Sequence, residues 1–164
     1  QEDADSGGLV MRSRYAIILG TAGVVLLDAW LKRFALSTFP SDTSVVSPGI
    51  FTLVVHRNPG LAFNIPLRIP VVLAISVILG VALLWMAWKH RAETSDVASA
   101  ALTVFIGGLG NMLDRAAYGY TVDYLLFFGR SALNLSDLVI MGGIVWMLWA
   151  GKKELPIDES AKTP

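Results

Sequence analysis

Asp123 and Asp137 lie fourteen positions apart, each within apolar sequence and each without a cation beside it. Asp123 sits in Tyr120-Thr121-Val122-Asp123-Tyr124 and is followed by Leu125, Leu126, Phe127 and Phe128, while Asp137 sits in Leu133-Asn134-Leu135-Ser136-Asp137-Leu138. A buried, unpaired carboxylate is driven to take up a proton, and two facing carboxyls meet that demand by sharing one. One acid of such a pair can take a proton from water while the other, still protonated, polarises a carbonyl, as in an aspartyl protease. Each acid also has a plainer reading. Asp137 stands where it can cap a helix. Asp123 can be a solvated loop acid, although its apolar flanks argue against free solvation.

Three other groups carry polar residues in apolar surroundings. Asp28 and Lys32 are one helical turn apart and can pair, either to tie a helix to its neighbours, with Lys32 snorkelling outward, or to touch a substrate. In Gly107-Gly108-Leu109-Gly110-Asn111-Met112-Leu113-Asp114-Arg115 the glycines suit close helix packing in lipid. Asn111, Asp114 and Arg115 share one face and need polar partners or water, so they read as a network supporting a site. No strand precedes these glycines, so they do not form a nucleotide loop. The stretch His56-Arg57-Asn58-Pro59-Gly60-Leu61-Ala62-Phe63-Asn64 reads either as a hairpin turn or as a peptide-binding edge. Asp114 competes with Asp123 to face Asp137. Its neighbour Arg115 suits it to a structural or substrate-orienting role, and it is expected to turn toward Arg115 or backbone donors.

The remaining composition narrows the chemistry. There is no cysteine, which excludes thiolate catalysis, disulfides and thiolate-bound metal, and the two histidines, His56 and His90, form no zinc motif. A formal net charge of zero gives no sign of a nucleic-acid partner.

The elements that must position these groups are membrane spans. The 164 residues are 54% hydrophobic and 16% charged, against about 25% charge in a soluble domain. Four runs are long and apolar enough to cross a bilayer: residues 15–36, 69–88, 97–113 and 133–151. Arg12 and Arg14 before the first run resemble a signal-peptide start, but the run continues into Asp28 and Lys32 without a small-residue cleavage site, so it reads as a retained span. Raw counts barely favour either side, since Lys32, Arg33, Arg57, Arg68, Arg115 and Arg130 lie opposite, but Arg12, Arg14, Lys89, Arg91, Lys152 and Lys153 flank span ends in the usual way, so both termini are expected in the cytoplasm. Trp85, Trp88, Trp146 and Trp149 then form an inner aromatic belt. Residues 50–57 pattern as a strand with Phe51, Leu53 and Val55 on one face, Asn58-Pro59-Gly60 as a turn, and residues 61–65 as a returning strand. The expected organisation is a single membrane domain over 11–153, with 1–10 and 154–164 disordered.

Taken in order, Asp28 to Lys32, Asn58-Pro59-Gly60-Leu61-Ala62-Phe63, residues 107–115, Thr121-Val122-Asp123-Tyr124 and Asn134-Leu135-Ser136-Asp137 resemble bacterial lipoprotein signal peptidase (signal peptidase II), over roughly residues 12–153. The resemblance implies an all-α membrane protein: a four-transmembrane-helix bundle with a small extracytoplasmic β-cradle and a short interfacial helix, in the bacterial inner membrane. It implies an aspartic endopeptidase that needs no cofactor or metal and removes signal peptides from prolipoproteins before a diacylglyceryl-modified cysteine. Lipidated signal peptides and membrane lipid are then its partners. It implies Asp123 and Asp137 as catalytic, with Asp28, Lys32, Asn58, Gly60, Ala62, Phe63, Asn111, Asp114, Arg115 and Asn134 binding substrate or supporting the site. The chain departs from the family pattern at Leu133, Ser136 and Asn64, and its 123–137 spacing is short; these bear on substrate fit and rate. Two other functions compete. A small transport or assembly subunit would use Asp28, Asp123 and Asp137 as a polar path at several depths. A Ser–Lys peptidase would use Lys32 as base.

Overall fold

The computed structural model describes residues 2–41, 49–60, 67–91 and 96–154, with side chains described between Met11 and Lys152. In chain order the elements are α1 (Glu2–Thr38), β1 (Phe51–Asn58), α2 (Ile69–Lys89), α3 (Val97–Tyr118), β2 (Thr121–Phe127), β3 (Ser131–Leu133) and α4 (Leu135–Glu154). Four stretches are long and apolar enough to cross a membrane: Met11–Thr38, Ile69–Lys89, Val97–Tyr118 and Leu135–Lys152. These are the four expected spans. The backbone of α1 also continues through 2–10, where disorder was expected. Extending an existing helix costs far less than starting one.

Helix α3 is the centre of the bundle and packs against α1, α2 and α4. Its buried stripe runs Val97, Ala100, Ala101, Val104, Gly107, Asn111 and Arg115, the three-to-four spacing of one helix face. Small residues let the backbones approach. A Cβ added at Gly143 of α4 would lie 2.7 Å from Val104 Cγ2 and 3.2 Å from the Val104 nitrogen. Helix α3 runs five residues past the expected 113 and ends at Gly119, whose φ of 76° is the left-handed conformation that closes a helix and favours glycine.

The sheet joins the two hairpin ends of the bundle in the order β1-β2-β3, all antiparallel. Asn58 faces Thr121 and His56 faces Asp123 across β1 and β2, and Leu125 faces Leu133 across β2 and β3. The expected strand in 50–57 is present, but its face is not continuous. A bulge between Leu53 and His56 turns Val54 and Val55 inward together and leaves Phe51 and Leu53 exposed, as an extra residue in one strand does. The returning strand expected at 61–65 lies outside the described residues. The strand that pairs with β1 is β2, with β3 added beyond it, and both occupy a segment expected to be loop. They and the turn at 128–130 take up the short 123–137 spacing, and no separate short helix occurs among the described residues.

Candidate active site

Asp123 projects from the middle of β2 and is 1% exposed. Asp137 lies in the first turn of α4 and is half-buried. Asn134 joins them. Its side-chain amide donates to Asp123 Oδ1 at 2.6 Å, and its backbone N–H donates to Asp137 Oδ2 at 3.1 Å. The Asp137 N–H donates back to Asn134 Oδ1 at 3.0 Å. That reciprocal pair is a helix-capping arrangement, so the plainer reading of Asp137 as a cap holds together with its place in the site.

Two more asparagines complete the cradle. Asn58 Nδ2 donates to Asp123 Oδ2 at 3.2 Å, and Asn111 Nδ2 donates to Asp137 Oδ1 at 2.8 Å. All four carboxyl oxygens therefore accept from an amide N–H. Each asparagine is locked the right way round by a donor on its own oxygen. The Gly60 N–H reaches Asn58 Oδ1 at 3.0 Å, Lys32 Nζ reaches Asn111 Oδ1 at 2.8 Å, and the Asp137 N–H reaches Asn134 Oδ1. Burial pushes the Asp123 carboxyl up to about 7, with the charge of Asp137 adding to the rise and the Asn58 and Asn134 amides and His56 opposing it. A carboxyl so placed takes up a proton far more readily than an exposed one.

Around this centre lie the supporting groups. Arg115, from the last turn of α3, donates through Nε (3.3 Å) and Nη2 (2.8 Å) to the Gly60 carbonyl, and through Nη1 to the Asn111 carbonyl at 3.2 Å. It thus ties the Asn58-Pro59-Gly60 turn to α3. Asp28 joins α1 to α4 and β2. Its Oδ1 accepts from Tyr124 Oη at 2.8 Å and the Leu135 N–H at 2.9 Å, and its Oδ2 accepts from Ser136 Oγ at 2.6 Å. Lys32 bridges Asp28 and Asp114, both at 2.8 Å.

Of the residues expected in the site, Asp28, Lys32, Asn58, Gly60, Asn111, Asp114, Arg115, Asp123, Asn134 and Asp137 meet in this one network. Ala62, Phe63 and Asn64 lie outside the described residues. One expectation changes, and two competing readings are set aside. Asp114 pairs with Lys32 of α1 rather than with Arg115, because the Arg115 guanidinium is drawn to the Gly60 carbonyl. Lys32 is buried, not snorkelling, ion-paired with Asp28 and Asp114 and hydrogen-bonded to Asn111 Oδ1, an arrangement that does not present it to a serine as the base of a Ser–Lys peptidase. The acids Asp28, Asp114, Asp123 and Asp137 converge in one cluster instead of marking successive depths of a polar path. Tyr124 and Ser136 were not foreseen. Tyr124 sits next to Asp123, so once β2 is recognised as a strand the alternation sends their side chains to opposite faces. The hydroxyl of Ser136 gives a use to one of the departures from the family pattern.

The wider comparisons agree with this architecture. Residues 20–151 match the family described as signal peptidase (SPase) II. A lipoprotein signal peptidase from Azoarcus sp. is 33% identical over 139 residues, covering 79% of this chain and 78% of its own. One from Neisseria meningitidis serogroup C is 31% identical over 155 residues, covering 85% and 90%. A bacterial membrane enzyme solved by the in meso method at 2.3 Å superposes with a TM-score of 0.73 at 26% identity, over 90% of this chain and 92% of that one. With four spans, a sheet bridging them and a matched stretch that contains every described site residue, the chain belongs to the signal peptidase II family.

Proposed function

We propose that the protein is an aspartic endopeptidase of the bacterial inner membrane that removes signal peptides from prolipoproteins, with Asp123 and Asp137 as the catalytic pair. The observation that carries this reading is the double engagement of Asn134, which holds one carboxyl through its side chain and the other through its backbone. Asp123 carries the shared proton and polarises the scissile carbonyl. Asp137, the more exposed of the two, takes a proton from the attacking water. The water oxygen bonds to the carbonyl carbon, the carbon–nitrogen bond breaks, and the departing amine receives a proton. The cleaved bond lies just before a diacylglyceryl-modified cysteine, and the lipid holds that bond at the membrane surface, which lowers the entropic part of the barrier.

Orientation follows from the flanking charges. Arg12, Arg14, Lys89, Arg91 and Lys152 mark the end of the bundle away from the sheet. Both termini are therefore cytoplasmic, and the site faces the outer side. A single cysteine introduced at Ala92 should resist an impermeant reagent added outside, and labelling there would invert the topology.

The enzymatic reading is tested by incubating purified protein with a lipidated prolipoprotein beside its non-lipidated form. Signal-peptide release from the lipidated substrate alone is expected. Release should be absent with Asp123→Asn and with Asp137→Asn, both folded and membrane-inserted. Turnover by either variant near the parent rate would remove these acids from the chemistry.

A further inference from the structure

Lys32 lies on α1, buried at 3% exposure and without a contact to either catalytic carboxyl. Its ammonium lies 2.8 Å from each of three oxygens, Asp28 Oδ2 and Asp114 Oδ2 as ion pairs and Asn111 Oδ1 as a hydrogen bond. An ammonium cannot accept a hydrogen bond, so the Asn111 amide can meet it only with its oxygen. The amide nitrogen then has to point the other way, and there it donates to Asp137 Oδ1. We infer that Lys32 is a positioning residue for catalysis: it fixes the orientation of the Asn111 amide, and through it the position of the Asp137 carboxyl.

The surrounding bonds support a role beyond joining helices. Asp28 keeps Tyr124 Oη, the Leu135 N–H and Ser136 Oγ when Lys32 is removed, so α1 stays tied to α4 and β2 without it. Asn111 has no comparable substitute among the described residues. Its carbonyl oxygen on the backbone is held by Arg115 and Thr121, but its side-chain oxygen is held by Lys32. Without a donor-only group at that point the amide is free to turn its oxygen toward Asp137. Two acceptors would then face each other, and the carboxyl would move away. An ammonium on the amide oxygen also polarises the N–H that Asp137 receives.

The inference rests on the assignment of Asp137 as catalytic, and the test separates the two. Removing Lys32 alone strands the charge of Asp114, so Asp114→Asn is the background. Signal-peptide release is measured on the full chain with lipidated prolipoprotein, alongside melting temperature and monodispersity. Asp114→Asn alone, which keeps the Lys32–Asn111 bond, should leave measurable cleavage at a lowered rate and is the reference against which the further changes are read. Adding Lys32→Met should lower kcat by roughly 10- to 100-fold, the usual cost of losing a group that orients a functional residue, with KM within about twofold. In an Asn111→Ala/Asp114→Asn background the same Lys32→Met should cost less than about threefold, because residues acting in one chain are not additive. Equal losses in both backgrounds, a change in KM alone, or no loss of kcat in folded protein would overturn the inference. If the methionine variant does not fold, Lys32→Gln/Asp114→Asn replaces it. Glutamine offers an oxygen as well as donors, so the orientation is no longer forced and the same kcat loss is expected. Turnover by Asp137→Asn would instead defeat the catalytic assignment itself.

Discussion

Helices α2 and α3 run side by side, yet they are built on opposite rules. Helix α2 holds no charge before Lys89, and its buried residues are Val72 and Ala87. Helix α3 carries Asn111, Asp114 and Arg115 and buries ten residues, among them Ser99, Thr103, Asn111 and Arg115. In water the apolar helix would be the core. In lipid, apolar side chains face the solvent, and the interior is marked by small residues that allow close approach and by polar residues that have no other place to go. The difference teaches where function sits: the least hydrophobic faces of the spans, α1 at Asp28 and Lys32 and α3 at Asn111 and Arg115, are those that converge on the two acids.

The largest expected effect comes from the centre of that polar region. Asp123→Asn and Asp137→Asn should each lower kcat by at least about 10³-fold, and the double variant should be no slower than the worse single one, since groups acting as a unit are strongly non-additive. Rates of signal-peptide release by the three purified variants decide this. A double variant slowed by the product of the two single losses would mean two independent functions.

The next effect is pH. The Asp123 carboxyl is pushed up to about 7 in the fold, by burial first and by Asp137 second, whereas it titrates near about 3.9 in an unfolded chain. The folded state therefore binds the proton more tightly, and stability falls as pH rises from about 4 to about 7. Above that window the loss is complete. Activity should fall on the same alkaline side, approaching tenfold per pH unit once the shared proton is gone, with the midpoint belonging to the pair. The titratable and charged groups near the pair are Asp28 and Lys32 from α1, His56 from β1 and Arg115 from α3. Melting temperature and kcat/KM measured across the range check both signs. An alkaline limb that persists unchanged in melting curves of Asp123→Asn would assign the stability effect to another group.

Much of this contrast is legible in the chain before folding. The four spans follow from length and apolarity, and the site acids from the cost of charge in apolar sequence. The strand at 121–127 is not, because Val122, Tyr124, Leu125, Leu126 and Phe127 form a short apolar run with little alternation, which suits a buried strand and a helix end alike. Its pairing with Phe51–Asn58 is set by residues far away in sequence. The contact of Asp114 with Lys32 was equally hidden. Adjacency suggested Arg115, but neighbouring positions on a helix point apart, and only the packing of α1 on α3 supplies the nearer cation. The three asparagines were each visible as polar residues at span ends or turns. Their common task, donating to the two acids, appears only when β1, α3 and α4 meet.

The packing half of the comparison predicts a smaller loss. Gly143 of α4 faces Val104 of α3 closely enough that a new Cβ meets a stiff β-branched side chain and a backbone nitrogen. Gly143→Ala should destabilise the protein by about 1–3 kcal/mol, the usual cost of overpacking, seen as a lower melting temperature, while the remaining folded enzyme keeps its kcat. An unchanged melting temperature would mean that α3 and α4 separate easily.

The smallest effect belongs to α2. Ile78 and Val81 are exposed, at 68% and 62%, on an outward stretch of α2 shared with Val77 and Leu79. Truncating a side chain that meets lipid in both the inserted and the unfolded-in-membrane states changes little, because its surroundings are alike in the two. Ile78→Ala and Val81→Ala should each stay within about 0.5 kcal/mol of the parent in stability, as exposed substitutions generally do, and within about twofold in kcat and KM. The result discriminates because the same truncation on α3 removes a packed neighbour. If either α2 variant raises KM tenfold while its melting temperature is unchanged, that face is meeting the signal peptide rather than lipid, and α2 belongs to the substrate path as well as to the bundle wall.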